Sequence, residues 1–230
     1  MWVVKIGGSL YGDALLRPWL TMLAELGGGR VAIVCGGGEF ADAVRRCQAL
    51  WRFDELSAHN MAILAMSQGA YLLRALCPAL QMTSAEAEIR EVLHRGRTAV
   101  WSPAELLRER ADADTNWEVS ADSIALGLAR RLNAERLLLI KSCSVDPAAS
   151  LAELGRAGIV DARFAGDARD AAFPIEIASR DALDRVSGQL LAGSVPAPDW
   201  AVAPGPGPEP GSRRRARLAP PSRPRGAGRG

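Results

Sequence analysis

Lysine, histidine and closely spaced cysteine are scarce in this 230-residue sequence. Two histidines are too few for a histidine-rich metal site, and four cysteines without C-x-x-C spacing favour reduced thiols over disulfides or structural zinc. No apolar run approaches about 18 residues, the length that a membrane-spanning helix needs. The first residues, MWVVKIGGSL, lack the basic segment and long apolar stretch of a signal peptide. These absences predict a soluble cytoplasmic protein with no membrane partner.

Charge is divided unevenly along the chain. The formal net charge is +2, but residues 194–230 hold seven arginines against two acidic residues, together with nine of the fourteen prolines. Such a segment buries too little apolar surface to offset the entropy lost on folding. We therefore predict a folded domain over residues 1–193 and a disordered basic tail over residues 194–230. The domain itself holds 21 basic and 24 acidic residues, so no nucleic-acid partner is expected.

Short apolar runs alternate with helical patterns over residues 1–193. Strands are predicted at WVVKI, RVAIVC, RTAVW, RLLLIK and PIEIAS. Helices are predicted within 13–26 and at EFADAVRRCQAL, AHNMAILAMSQGAYLLRAL, ADSIALGLARRL and DALDRVSGQLL. Residues 102–105, Ser-Pro-Ala-Glu, have the form of a capping box that starts a further helix. Strands without polar alternation are buried on both faces, so the pattern predicts an α/β fold, a three-layer αβα sandwich around a mostly parallel sheet.

Two glycine clusters follow the first and second predicted strands. Their members are Gly7, Gly8 and Ser9 in the first and Gly36, Gly37 and Gly38 in the second. Ligands of open parallel sheets bind beyond the carboxyl ends of the strands, where glycine lets backbone N–H groups come close to an anion. The two clusters favour a site for a polyphosphate or for two adjacent phosphates; the alternative is that the glycines serve only tight turns. Neither the G-x-G-x-x-G nor the Walker pattern is present.

Both lysines of the chain lie at the ends of predicted strands, beside these glycine clusters. Arginine outnumbers lysine 26 to two, so the composition favours arginine wherever a surface cation suffices. A compact ammonium, as in Lys5 and Lys141, fits between phosphate oxygens where a planar guanidinium does not. The alternative is two chance lysines with exposed ammonium groups. Asp122, in the first turn of the helix that Ser120 caps, is either favoured there by the helix dipole alone or holds an ammonium in place for a transferring phosphoryl group.

Other polar residues are weaker candidates. His59 is expected to be a helix cap or a surface residue rather than an acid or base. Asn116 and Trp117 precede Ser120 and could line an acceptor pocket, with core packing as the alternative for the indole. Three arginines, Arg45, Arg46 and Arg52, are expected on an exposed helix face, with an acceptor anion as the alternative.

Together these segments resemble the amino-acid kinase family, whose members include acetylglutamate, aspartate, uridylate and isopentenyl phosphate kinases. The resemblance covers about residues 2–193 and rests on KIGGSL, VCGGGEFAD and SADSIALGLARRLNAERLLLIKS. It implies that Lys5 and the glycine loops bind the phosphates in transit and that Asp122 organises the lysines. It also implies that the ATP site begins at Lys141, Ser142 and Asp146. The implied reaction is in-line transfer of the γ-phosphoryl group of ATP, with Mg²⁺ held mainly by the nucleotide rather than by a protein metal site.

Within the family, TNWEVSADS and LLLIKS are most similar to the kinases of methanofuran-type cofactor biosynthesis and their bacterial relatives. These act on (5-(aminomethyl)furan-3-yl)methyl phosphate, for which Asn116, Trp117 and Ser120 are the predicted binding residues. CSVDPAAS departs from the family's D-G-V-Y/F adenine loop. The expectation is an ATP-dependent kinase of a phosphomonoester. The alternatives are a carboxylate or uridylate kinase of the same fold, and a nucleotide- or oxyanion-binding protein without turnover.

Self-association is also predicted. The helix within 58–77 is apolar around most of its circumference, which is more than one face of a sheet can cover. We therefore predict a homo-oligomer. The resemblance agrees, since relatives commonly dimerise across the corresponding helix.

Overall fold

The computed structural model describes residues 1–112, 115–117 and 119–193. The predicted disordered tail, residues 194–230, lies outside the described residues. The strands are β1 Trp2–Ile6, β2 Val31–Cys35, β3 Gln81–Thr83, β4 Ala99–Trp101, β5 Arg136–Lys141 and β6 Ile175–Ser179. The α-helices are α1 Leu16–Leu26, α2 Gly38–Trp51, α3 Glu55–Leu76, α4 Glu86–His94, α5 Ala121–Arg131, α6 Leu151–Arg156, α7 Ala162–Asp167 and α8 Leu183–Ala192.

The six strands form one parallel sheet in the order β3-β4-β2-β1-β5-β6. This confirms the predicted α/β fold with a parallel sheet. Five strands coincide with predicted apolar runs, because β1, β2 and β4 are buried along their whole length and β5 and β6 at all but the last residue. The remaining strand, β3, was not predicted, because it has only three residues, of which only Thr83 is buried.

Helices cover both faces of the sheet, which makes the predicted three layers. Side chains that alternate along β1 supply two separate cores. Val3 belongs to the core under α4, α5, α6 and α7. Val4 belongs to the core under α1 and α8. The long helix α3 contributes to both, with Met66 in the first core and Leu73 in the second.

The sheet register brings the chain's two lysines to one place. Lys5 lies on the same face of β1 as Val3, toward α5. The neighbouring strand β5 pairs in parallel with Lys5 opposite Leu139, so Lys141 lies two residues further along on that same face. Helix α5 runs back over β1 and β5, and its first residues therefore lie above the carboxyl ends of both strands.

The predicted capping box at residues 102–105 is wrong. Ser102 makes no side-chain cap hydrogen bond, and Pro103–Leu106 is a single 3₁₀ turn. The chain is then drawn toward α3, because the Asn60 side chain donates to the Arg108 carbonyl at 2.8 Å and accepts from the Arg108 N–H at 2.9 Å. That pair of bonds fixes the backbone in an extended path, and the turn does not continue as an α-helix.

Helix α1 is shorter than predicted. It begins at Leu16 rather than near residue 13, because the Asp13 carboxylate accepts a hydrogen bond from the Leu15 N–H at 2.9 Å and holds a turn there. Pro18 is the third residue of the helix, within its first turn as predicted. None of the helices in the described ranges is long and apolar enough to cross a membrane.

Helix α3 presents apolar side chains to solvent. Met61, Leu64 and Tyr71 are 38%, 45% and 68% exposed, and their spacing places them on one face of the helix. Exposed apolar side chains grouped on one helix face are typical of protein–protein contacts, although the exposed Gln68 interrupts this group. The predicted homo-oligomer stays a prediction, and this face is where we expect its interface.

Charge on this face is expected to prevent self-association. The double variant Leu64→Glu/Tyr71→Glu should sediment as a monomer at micromolar concentration, whereas the unaltered chain sediments as a dimer or larger species, because two carboxylates would have to be buried at the contact. Arg169→Glu, an exposed change outside α3, is the control and should leave the assembly intact. An unaltered chain that sediments as a monomer would contradict the prediction.

Candidate active site

Asp122 lies between the two lysines. Its Oδ2 accepts a hydrogen bond from the Lys141 ammonium at 2.5 Å, and its Oδ1 lies 2.8 Å from the Lys5 ammonium. The second contact is an ion pair. Lys5 and Asp122 are buried, with side-chain exposed fractions of 7% and 4%, and Lys141 is largely buried, at 12%. The structure thus brings together the three residues that the sequence predicted as catalytic.

This buried cluster carries one net positive charge, which perturbs its members. Burial alone would raise the pKa of the Asp122 carboxyl, but the charges of Lys5 and Lys141 outweigh it and hold that pKa below its usual value. Burial lowers the pKa of Lys141, and the nearby Lys5 ammonium lowers it further, against the opposing effect of Asp122. A buried cluster with surplus positive charge is suited to bind an anion.

Hydrogen bonds from two elements fix the helix end that carries Asp122. Ser120 caps α5 as predicted, its Oγ accepting from the Asp122 N–H at 3.1 Å. The Ser120 hydroxyl in turn donates to Asp161 Oδ2 at 2.5 Å, and the Ser123 hydroxyl donates to Asp161 Oδ1 at 3.0 Å. Asp161 also caps α7 through the Phe164 N–H. The sequence reasoning missed Asp161, which is separated from Ser120 by 41 positions along the chain.

The two glycine clusters touch each other. A Cβ atom on Gly8 would overlap the backbone of Gly38, and one on Gly36 would lie 2.7 Å from the Gly8 nitrogen. The N–H groups of Gly7 and Gly36 are already used, since they donate to the Ile140 and Ile6 carbonyls at 2.9 Å. Packing therefore explains part of the glycine content, which was the alternative interpretation.

Other N–H groups of these clusters are placed for a ligand. Gly38 is the first residue of α2, so the N–H groups of its first turn have no acceptor within the helix. The first cluster likewise opens a short 3₁₀ helix, Gly8–Leu10. Residues of both clusters line the larger cavity, and the start of α2 favours negative charge there.

Two cavities meet at the lysine cluster. The larger, about 700 Å³, lies between the glycine clusters and the first turns of α2, α3 and α5. The smaller, about 410 Å³, extends from the end of β5 to residues 157–159. The residues that line both are Lys5, Gly8, Ser9 and Ser142. The Ser9 and Ser142 hydroxyl oxygens are 2.8 Å apart and join the first glycine cluster to the end of β5.

The predicted site residues divide between the cavities. Asn116, Trp117 and Ser120 line the larger cavity, and Lys141 with Gly7 lines the smaller. Asp146 lines neither; it is exposed, and its Oδ1 accepts from the Ala148 N–H at 2.9 Å. The structure therefore brings together the predicted residues except Asp146, whose place in an ATP site stays a prediction.

Trp117 forms one wall of the larger cavity through contacts with α2. Its indole N–H donates to Gln48 Oε1 at 2.6 Å, and the Arg45 guanidinium lies over the ring, 4.4 Å from its centre. Arg45 is also paired with Asp42 at 2.8 Å, and Gln48 reaches Glu55 at 3.0 Å. These contacts hold the indole as a fixed surface, and they give Arg45 a place in the cavity that Arg46 and Arg52 do not share.

The expectation for His59 is wrong. Helix α3 begins at Glu55, because the Asp54 carboxylate caps it by accepting from the Ser57 N–H at 2.8 Å. This start is three residues earlier than predicted. His59 therefore lies inside the helix rather than at its cap, and it is 9% exposed and lines the larger cavity.

Arg180 is a further cationic residue that the sequence reasoning missed. It follows β6, lines the larger cavity and donates to Asp13 Oδ2 at 2.5 Å. Two hydrogen bonds hold the pKa of the Asp13 carboxyl below its usual value. The bond from the Leu15 N–H has the larger effect, and the bond from the Arg180 guanidinium adds to it. The Trp19 indole N–H donates to the Arg180 carbonyl at 2.7 Å and fixes the backbone there.

Comparison with known proteins gives one family. Residues 1–144, more than half of the chain, match the amino acid kinase family. The (5-(aminomethyl)furan-3-yl)methyl phosphate kinase of Methanocaldococcus jannaschii is 25% identical over 142 residues. These residues are 60% of this chain and 64% of that relative, so the chain spans less than two thirds of the relative's length.

Solved structures agree on the fold. The uridylate kinase from Archaeoglobus fulgidus superposes with a TM-score of 0.61 at 16% identity, over 84% of this chain and 96% of that one. The UMP kinase from Bacillus anthracis superposes with a TM-score of 0.64 at 16% identity, over 83% of this chain and 91% of that one. At this identity the likeness concerns the fold alone.

Proposed function

The chain belongs to the amino acid kinase family, and we propose that it transfers the γ-phosphoryl group of ATP to a small acceptor that already bears a phosphate. One observation carries the proposal. The buried cluster of Lys5, Asp122 and Lys141 stands where two cavities meet, and Lys5 lines both of them. We assign the smaller cavity to the nucleotide phosphates and the larger one to the acceptor.

Charge neutralisation is the main catalytic contribution in this proposal. The transferred group spreads negative charge over its oxygens in the transition state, and fixed cations and N–H groups at that point lower the barrier without reorganising. Lys5 and Lys141 are such cations, and Asp122 keeps their ammonium groups from separating. Asp122 is a positioning residue here, since both of its oxygens are engaged by lysines.

A phosphomonoester acceptor suits a site of this composition. Its second pKa is about 6, so at neutral pH its oxygen attacks the γ-phosphorus without first losing a proton. The new P–O bond forms on that oxygen, the bond from the γ-phosphorus to the β,γ-bridging oxygen breaks, and ADP leaves with that oxygen. A general base is not required. This matches a cluster whose carboxylate is held in two ion pairs.

Mg²⁺, which the family implies, fits this site as part of the nucleotide. The groups that face the junction are ammonium, hydroxyl and backbone N–H groups, which bind phosphate oxygens rather than a cation. When bound, Mg²⁺ supplies further neutralisation of the phosphates. Lys5 and Lys141 would hold the nucleotide phosphates that carry it, and the N–H groups at the start of α2 face the transferred phosphoryl group from the larger cavity.

For the acceptor we propose (5-(aminomethyl)furan-3-yl)methyl phosphate, which would become its diphosphate. The kinase of M. jannaschii supports this choice by its name and 25% identity. The larger cavity supports it by its chemistry. Trp117 and Met66 offer apolar surface for a ring, and Glu39, Asp42 and Glu55 offer carboxylates for an ammonium group at the other end.

An acceptor screen tests the proposal. Purified protein with MgATP is offered the aminomethylfuran phosphate, its analogue without the amine, UMP, glutamate and aspartate, and ADP formation is followed together with the ³¹P spectrum of the product. We expect ADP and a new diphosphate with the aminomethylfuran phosphate, and about two- to fivefold lower kcat/KM for the analogue, because the analogue cannot pair with the exposed carboxylates of the cavity.

The screen separates the alternatives. Turnover confined to UMP or to an amino acid would replace the proposed acceptor and keep the kinase. ATP binding without ADP formation on any acceptor would contradict the kinase and favour a protein that only binds nucleotide.

The pH dependence of turnover is expected to reflect Lys141. Burial and the Lys5 charge lower its pKa from the ordinary 10.5, so the ammonium loses its proton at a lower pH than an exposed lysine does. We expect kcat/KM to fall on the alkaline side with an apparent pKa below 10.5. An alkaline limb at or above that value would contradict a role for the Lys141 charge. An assay that measures ADP directly avoids interference from pH-sensitive coupling enzymes.

A further inference from the structure

The Tyr11 side chain extends from the first glycine cluster to the second, and the proposed reaction gives it no role. It follows the first glycine cluster directly, at the end of the 3₁₀ helix Gly8–Leu10. Its side chain passes over the second glycine cluster and ends against α3, and its ring lies 6.1 Å from that of Phe40 on α2. One residue therefore contacts both predicted phosphate loops and a helix of the acceptor cavity, which it also lines.

The contacts of Tyr11 with the second cluster are direct. Its hydroxyl donates a hydrogen bond to the Gly36 carbonyl. Its ring edge takes the space beside Gly38, where a Cβ atom would lie 2.7 and 2.8 Å from ring carbons. Gly38 has a φ of +52°, a backbone conformation that residues with a Cβ atom rarely adopt. The Tyr11 ring packs against the start of α2 at this glycine. Burial raises the pKa of the Tyr11 hydroxyl, which therefore stays a donor at every pH of interest.

Gly69 in α3 provides the place for the hydroxyl. A Cβ atom at this position would overlap the Tyr11 hydroxyl oxygen and lie 3.0 Å from ring carbon Cζ. Glycine inside a helix is unfavourable by itself. Its presence in the middle of this 22-residue helix is explained by the room that it leaves for the Tyr11 hydroxyl and for the Gly36 carbonyl oxygen, from which a Cβ atom would lie 3.0 Å.

We propose that Tyr11 is a positioning residue that sets the spacing between the two glycine clusters, and that Gly69 in α3 leaves the space that its hydroxyl group occupies. The proposal rests on the proposed function, because it concerns the loops that would hold the phosphates. By fixing the Gly36 carbonyl, Tyr11 fixes the N–H groups that begin α2 relative to Lys5 and Ser9. A phosphoryl group held between them is sensitive to this spacing, since a displacement of about 1 Å can cost about 100-fold in rate.

A double-mutant cycle tests the pair. Tyr11→Phe removes the hydroxyl but keeps the ring, and kcat should fall about fivefold, the effect of one lost hydrogen bond. In Gly69→Ala the added methyl group displaces the Tyr11 hydroxyl and with it the second glycine cluster, so kcat should fall about 30-fold. In the double variant the atom that would overlap is gone, and the contacts that remain, at 3.0 Å with the ring carbon Cζ and the Gly36 carbonyl oxygen, require a shift of only a few tenths of an ångström. The kcat should therefore return to within about threefold of Tyr11→Phe alone, instead of the roughly 150-fold loss that independent effects would give.

Two controls accompany the cycle. Gly188→Ala lies in α8, where a Cβ atom meets nothing within 4 Å, and Tyr71→Phe changes an exposed tyrosine; both should leave kcat unchanged. Thermal unfolding of each variant shows whether the fold persists. Tyr11→Phe fills the same volume, so its kcat remains informative even if Gly69→Ala does not fold.

The dissociation constant of MgATP, measured by calorimetry on the same proteins, separates this proposal from the proposed function. We expect it to rise about tenfold in Gly69→Ala and to recover in the double variant, whether or not an acceptor is turned over. Absence of turnover in the unaltered chain would contradict the kinase alone. Unchanged kcat and MgATP affinity in Tyr11→Phe, or multiplicative losses in the double variant, would overturn the role of Tyr11.

Discussion

Lys5→Ala is expected to lower kcat for ADP formation about 1000-fold while the fold persists. The Lys5 ammonium lines both cavities, so it is the charge that can contact donor and acceptor phosphates at once. Removing one fixed donor from a transition state typically costs about 100- to 1000-fold, and removing a cation from a transferring phosphoryl group costs about 1000-fold or more. Asp122 keeps Lys141 as a partner in this variant, so the buried carboxylate is not left without a counter-charge.

Arg46→Ala is the control for Lys5→Ala. It removes a cation from α2 that is exposed and lines neither cavity, and its kcat should equal that of the unaltered chain. Circular dichroism of both variants should overlay. Full activity in Lys5→Ala would contradict the proposed role of Lys5. If the circular dichroism spectrum of Lys5→Ala shows loss of helix and strand, the test is repeated with Lys5→Met, which keeps the apolar part of the side chain.

Asp122→Asn is expected to impair both activity and stability. Without the carboxylate, two buried ammonium groups face each other, and the free energy of unfolding should fall by about 3–5 kcal/mol. Burial and the Lys5 charge already lower the pKa of Lys141, and loss of Asp122 should lower that pKa further, so that Lys141 loses its proton at a lower pH than in the unaltered chain. We expect kcat to fall at least about 100-fold under alkaline conditions and to recover partly as the pH is lowered and Lys141 regains its proton.

Asp170→Asn, an exposed change on the same domain, should alter neither quantity. The partial recovery at lower pH distinguishes an electrostatic role for Asp122 from a purely structural one, which would not depend on the charge of Lys141. A pH-independent loss of activity in Asp122→Asn would contradict the electrostatic role. Unchanged stability would contradict the buried ion pairs themselves.

The stability of the unaltered chain should also depend on Asp122 in acid. Its pKa in the folded state is below the ordinary 3.8, so its ion pairs stabilise the fold above that pH and lose their contribution as the pH falls through the folded-state pKa. The free energy of unfolding of Asp122→Asn should therefore depend less on pH below about 4 than that of the unaltered chain.

The central residues of the site were predictable because their signal is compositional and local. Lysine is so rare in this chain that two lysines at strand ends stand out, and a parallel sheet brings strand ends to one edge. Ser120 was recognisable as a helix cap from its position before an apolar periodic run. The fold was predictable for a similar reason, since buried parallel strands leave apolar runs without alternation.

The surrounding residues could not be predicted in the same way. Asp161, Gln48 and Arg180 act through contacts with residues 38 or more positions away, and no local pattern marks such partners. His59 was misjudged because the helix start was placed after Asp54, whose capping role decides which residues lie inside α3. Gly69 did leave a signal, since a glycine within a long apolar helix calls for a packing reason.

A structure with MgADP and the aminomethylfuran phosphate bound together would test the central claim most directly. We expect the nucleotide phosphates in the cavity that ends at residues 157–159, the acceptor against Trp117 in the larger cavity, and the two phosphates facing each other across Lys5. The Lys5 ammonium should lie within hydrogen-bond distance of an oxygen of each. Both ligands in a single cavity, or phosphates that do not contact Lys5, would contradict the account.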